Sequence, residues 1–133
     1  MPVKMFFQVY REPLLATMDN LKELRTIEEL SLTLEQSSEK PVLLFKHSLT
    51  CPISARAFSE FRAYLERADS RVSYRLIKVQ TARAVSNEVA ARLNLEHQSP
   101  QAILVRNGRE VWNASHFAIN VSALAQAIGS ISD

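Results

Sequence analysis

The sequence predicts an α/β domain: a central mixed sheet of four strands, or five, with helices on both faces. Three observations predict it. Short apolar runs alternate with longer stretches whose apolar residues recur at helical spacing, the pattern of strands linked by crossover helices. Asn107-Gly108 stands between two apolar runs, the strongest short-range hairpin signal, so part of the sheet is antiparallel. The chain's one cysteine, Cys51, falls where an apolar run gives way to helical spacing.

Composition bounds the rest. At 133 residues the chain is one domain with room for a sizeable core. Its 16 basic and 14 acidic residues give a net charge of +2, and no dense basic cluster marks a nucleic-acid partner. No apolar run approaches the roughly 18 residues of a membrane span. A single cysteine excludes an intramolecular disulfide framework and fits a reducing compartment. Residues 1–20 form an N-terminal extension, and 21–133 form the domain. Within the extension Met5–Tyr10 has strand character, which Arg11-Glu12-Pro13 soon interrupts, so it is either an added edge strand or lies outside the compact part.

In order, Leu21–Arg25 is a short strand candidate. Thr26-Ile27-Glu28-Glu29 has the form of a capping box, and Ile27, Leu30 and Leu34 continue it as a helix to about Ser37. Val42–Lys46 is apolar until its end, as in a strand covered on both faces. After Cys51, Ile53, Ala57, Phe58, Phe61 and Leu65 form one helical stripe with Arg56, Glu60, Arg62 and Glu66 opposite. Arg71–Val79 reads as a strand. Val85, Val89 and Leu93 mark a further helix, with Ser86 or Thr81 as its cap. Ala102–Val105 and Glu110–Trp112 make the hairpin, with Trp112 in its core or at its rim. Asn120 caps a last helix showing Val121, Leu124 and Ile128 on one face and ending at Gly129. Strand–helix–strand followed by a terminal hairpin and helix is the thioredoxin order.

Chemistry concentrates at Cys51. Free N–H groups and the positive end of the helix dipole favour a thiolate there, and Pro52 suits the first helical turn because it has no N–H to satisfy. Ser54 stands where a two-cysteine oxidoreductase has its resolving thiol. It is either an inert replacement or a hydroxyl that hydrogen-bonds the Cys51 thiolate. In the thioredoxin order, Ser99-Pro100 before the hairpin faces the cysteine. On that analogy its peptide is expected to be cis, with the Ser99 backbone open to an incoming chain. His116, where the hairpin turns to the last helix, is expected at the same corner, to steady a thiolate or bind a ligand carboxylate. His47 and His97 are weaker candidates, and three scattered histidines with one cysteine have no zinc spacing, so no metal site is expected.

Phe45-Lys46-His47-Ser48, Cys51-Pro52-Ile53-Ser54, Val85–Ala90, Ser99-Pro100-Gln101 and Trp112–His116 together resemble the monothiol bacilliredoxins of the bacillithiol system. The match runs from about Leu24 to Ile128. The resemblance implies a thioredoxin fold, a cytoplasmic setting, and removal of bacillithiol from mixed disulfides on client proteins. Bacillithiol is then a co-substrate rather than a bound cofactor. The partners are bacillithiolated clients and a low-molecular-weight thiol, with no nucleic acid or membrane, and the chain is a monomer or weak dimer. The ligand-binding positions expected are Lys46, Ser115 and Asn120, the last at a helix N-terminus whose N–H groups face outward. Two rivals stand beside this reading. One is a one-cysteine iron–sulfur carrier, for which the chain lacks the Cys-Gly-Phe-Ser form. The other is a thioredoxin-fold interaction module with an idle cysteine.

Overall fold

A computed structural model describes residues 20–131, which hold five strands and four α-helices. In chain order they are β1 (Leu21–Glu23), α1 (Ile27–Gln36), β2 (Val42–His47), α2 (Pro52–Leu65), β3 (Ser73–Lys78), α3 (Arg83–Leu93), β4 (Gln101–Arg106), β5 (Arg109–Ser115) and α4 (Val121–Gly129). A 3-10 turn, His116–Ala118, joins β5 to α4. The fifth strand is Leu21–Glu23. The candidate strand Met5–Tyr10 lies outside the described residues.

The sheet order is β1-β3-β2-β4-β5. β1 and β2 run parallel to β3, while β4 is antiparallel to both β2 and β5, so the sheet is mixed as expected. β2 is buried along its whole length, and its side chains alternate between two cores. Leu43 and Phe45 join Phe61, Tyr64, Leu124 and Ile128 under α2 and α4. Val42 and Leu44 join Leu30, Val85, Val89 and Ile103 under α1 and α3. This alternation decides which way each site-bearing residue at the end of β2 points.

Local chemistry closes the elements. The Thr26 capping box is formed, with Glu29 N donating to Thr26 Oγ1 at 3.1 Å. Asn107 and Gly108 have φ of 54° and 72°, the paired positive angles of a type I′ hairpin. That turn is tied down because Gly108 N donates to Ser37 Oγ at 2.8 Å. Neither Ser86 nor Thr81 caps α3: its N-cap is Ala82, and Ser86 lies buried inside the helix. Val121, placed on the buried face of α4 by its spacing, is exposed, and Leu124, Ala127 and Ile128 carry the packing.

Candidate active site

Cys51 lies four residues beyond the carboxyl end of β2. Its backbone is extended, with φ −100° and ψ 122°, and it is the N-cap of α2 with Pro52 at the first helical position. The first amide to enter the helical ladder is that of Ala55, which donates to Cys51 O at 3.0 Å. The amides of Ile53 and Ser54 before it have no backbone acceptor among the described residues, so this end of a 14-residue helix favours negative charge. The cysteine is half-buried and belongs to neither core.

Ser54 does not serve the thiolate. It is fully buried, and its Oγ accepts from Ser48 N at 2.8 Å and lies 2.7 Å from His47 Nδ1. Every group is used when the Ser54 hydroxyl donates to Nδ1 of a neutral imidazole. His47 is held neutral: burial pushes its pKa below the ordinary histidine value, and the Lys78 charge adds to the effect. The ring also stacks on Phe58, 4.5 Å between centroids. The hydroxyl at the resolving position therefore pins the first turn of α2 to the end of β2. Sequence spacing ranked His47 low because its alternation toward the α2 face matters only once β2 is known to end there.

Gln80 carries no motif and was not singled out by the sequence. Its Oε1 accepts from Leu49 N at 3.0 Å, and its Nε2 donates to Ser48 Oγ at 2.8 Å and Thr50 Oγ1 at 3.3 Å. The three residues before Cys51 are thus tied to the loop after β3.

Ser99 and Pro100 precede β4, whose Gln101 pairs with Lys46 near the end of β2, so they share Cys51's edge of the sheet. The Ser99–Pro100 peptide is cis. Ser99 Oγ is buried with no hydrogen-bond partner among the described residues. Gln101, itself buried, holds the loop ahead of them by accepting from Gln98 N and donating to Glu96 O. His116 joins this corner: its N–H donates to Pro100 O at 3.1 Å, and its φ is 56°. Ser115 pairs with Gln101 across β4 and β5. Next to them Phe117 is 62% exposed, with the Arg56 guanidinium 5.2 Å above its ring, and Leu49 is 49% exposed, so the edge carries exposed apolar side chains.

Two expected ligand positions are corrected. Lys46 follows Val42 and Leu44 onto the α1–α3 face and is wholly buried, with Nζ 3.0 Å from His97 Nδ1. Burial lowers its pKa to about 8, and it meets no carboxylate among the described residues. It presents no surface charge to a ligand. Asn120 is a working N-cap whose Oδ1 accepts from Ala123 N at 2.9 Å, and Glu60 accepts from Val121 N at 3.1 Å. The N-terminus of α4 is therefore already supplied with acceptors, one of them a carboxylate, which is the wrong charge for an anionic ligand. Among the described residues no three His, Cys, Asp or Glu side chains group as metal ligands.

The family model for monothiol bacilliredoxin BrxC matches residues 22–124. The chain belongs to the monothiol bacilliredoxin family. The chain is also similar to a solved thioredoxin-fold protein described as a candidate oxidoreductase. The two are 38% identical with a TM-score of 0.74, over 84% of this chain and 96% of that one. Two thioredoxins share the fold at lower identity. One is from Fasciola hepatica, 16% identical with a TM-score of 0.64, over 81% of this chain and 96% of that one. The other is mitochondrial thioredoxin 3 from Saccharomyces cerevisiae, 14% identical with a TM-score of 0.67, over 86% and 99%. The bacilliredoxin family and the thioredoxin fold support a thiol redox function. No helix among the described residues is long and apolar enough to cross a membrane.

Proposed function

We propose that the chain is a monothiol thiol–disulfide exchange enzyme that removes bacillithiol from mixed disulfides on client proteins in the cytoplasm. One observation carries the reading: the only cysteine of a monothiol-family chain stands half-exposed at the head of α2, outside both cores. The Cys51 thiolate attacks the bacillithiol sulfur of the client mixed disulfide. A new S–S bond forms between Cys51 and bacillithiol, the old one breaks, and the client leaves as its thiolate. A second low-molecular-weight thiolate then attacks the bacillithiol sulfur on Cys51. That step restores the Cys51 thiolate and releases a small-molecule disulfide. Two electrons pass to the client and are supplied by the small thiols, so no second protein cysteine is required.

Access to the sulfur and the fraction ionised set the rate. The roles of the other residues follow from position. Pro52 starts the helix without an idle N–H. Ser54 holds the first turn. The Ser99 backbone and Pro100 receive the mixed disulfide along the edge shared with Cys51. His116 and Ser115, at the same corner, meet the polar part of bacillithiol. Lys46 and Asn120 are left out of that group because one is buried and the other is spent as a cap.

The test is release of a client thiol from a bacillithiolated client, followed by mass spectrometry. The wild-type chain is expected to release it with multiple turnovers when bacillithiol is supplied, and Cys51→Ser to release none above background. Equal rates for the two proteins would refute the mechanism.

A further inference from the structure

We propose that Gln80 is the positioning residue that sets Cys51 for attack, an inference that rests on the exchange reading above. The loop Ser48–Thr50 connects β2 to the cysteine. It contains no glycine, and Leu49 at its tip is 49% exposed, so packing does little to hold it. Among the described residues its tertiary hydrogen bonds go to only two side chains. On the inner side Ser48 N donates to Ser54 Oγ at 2.8 Å. On the outer side Gln80 accepts from Leu49 N at 3.0 Å and donates to both hydroxyls, Ser48 Oγ at 2.8 Å and Thr50 Oγ1 at 3.3 Å.

The backbone places Gln80 for this. Val79 N donates to His47 O at 2.9 Å, which extends the β2–β3 ladder one step past the strand end. Ala82 N donates to Lys78 O at 2.9 Å and closes the turn on which Gln80 stands. The amide has one usable orientation, since Oε1 must face the Leu49 N–H and Nε2 the hydroxyls. A single side chain thereby fixes three consecutive residues for one ordering cost. In-line attack on a disulfide requires the sulfur to be held in place, and reaction rates fall steeply with misplacement of the reacting atoms. Gln80 acts through the loop and does not touch the reacting sulfurs.

Two variants test the inference. Gln80→Leu removes all three bonds. Gln80→Glu keeps them, because a carboxylate accepts from Leu49 N–H and from both hydroxyls once these turn, but it adds a charge. Three readouts are taken after a melting curve confirms folding: hydrogen exchange of the Leu49 amide, iodoacetamide alkylation of Cys51 across pH 5–10, and exchange with a bacillithiolated client. Gln80→Leu is expected to lose Leu49 protection and to slow both Cys51 alkylation and client exchange by about fivefold or more, as for the loss of one or more net hydrogen bonds. Gln80→Glu is expected to keep Leu49 protected and to slow alkylation through the added charge alone, a slowing that added salt reverses. Wild-type alkylation and client rates in a folded Gln80→Leu chain would overturn the inference. A wild-type chain that alkylates as expected yet does not exchange with the client would refute the exchange reading instead. The amide and alkylation data would then still decide the role of Gln80.

Discussion

Lys46 and His47 are neighbours at the end of β2, and the strand's alternation sends them to opposite cores. Each is buried, and burial pushes each pKa down, so both sit as poorly solvated bases. Their surroundings differ. His47 has Ser54 and the Phe58 ring, whereas Lys46 has one neutral partner, His97, and no carboxylate among the described residues. An ammonium in that position is a cost to folding. Its folded pKa is about 8 against roughly 10.4 unfolded, so between those values the folded chain binds fewer protons than the unfolded one. Stability therefore rises with pH across that window, and below pH 8 the penalty is present in full. Lys46→Met is expected to raise stability at pH 7 by an amount on the order of 3 kcal/mol, discounted for the lost contact with His97. Denaturant midpoints at pH 7 and pH 10 check it: the gain at pH 7 shrinks at pH 10. A destabilised variant, or an equal gain at both pH values, would contradict the assignment of a penalised buried lysine.

The element that matters most is the first turn of α2, and its geometry depends on a hydroxyl. Ser54 Oγ joins Ser48 N–H to His47 Nδ1, so Ser54→Ala strands a part-buried donor and a buried ring nitrogen. The expected loss is about 2 kcal/mol of stability, read from denaturant melts, with slower client exchange because the loop before Cys51 loosens. An unchanged melt would mean that the hydroxyl does not pin the turn. Much at this scale was readable in advance. The Thr26 box, the Asn120 cap, the Asn107-Gly108 turn and the stripe of α2 are short-range patterns whose chemistry lies within a few residues. The start of α3 differs from the sequence expectation: Ser86 and Thr81 have the residue type of a cap, yet neither caps the helix. The helix instead begins after Ala82, and Ser86 faces His97 across 3.4 Å.

At the scale of the molecule, the site lies where the chain changes direction in the sheet. From β2 it passes to β3 on one side through α2, and from β3 it crosses over α3 to β4 on the other side. Helices leaving neighbouring parallel strands toward opposite faces open a crevice at the strands' carboxyl ends, and Cys51, Gln80 and the Ser99–Pro100 turn are all at that edge. The sequence placed Cys51, Pro52, Pro100 and His116 at this edge through the analogy of its element order with the thioredoxin plan. It did not reveal Gln80, 29 positions after the cysteine in an unpatterned turn. Nor did it reveal that Lys46 points away, since a one-residue step along a strand reverses the face and sequence shows no register.

The central claim is that one sulfur carries the small thiol between client and reductant, and intact-mass spectrometry tests it most directly. The chain is mixed with one equivalent of bacillithiolated client and quenched with acid. The account predicts one bacillithiol adduct, mapped to Cys51, which disappears when excess bacillithiol is added. A client that loses bacillithiol while Cys51 never carries it, or a client that still carries its bacillithiol after prolonged incubation, would contradict the account.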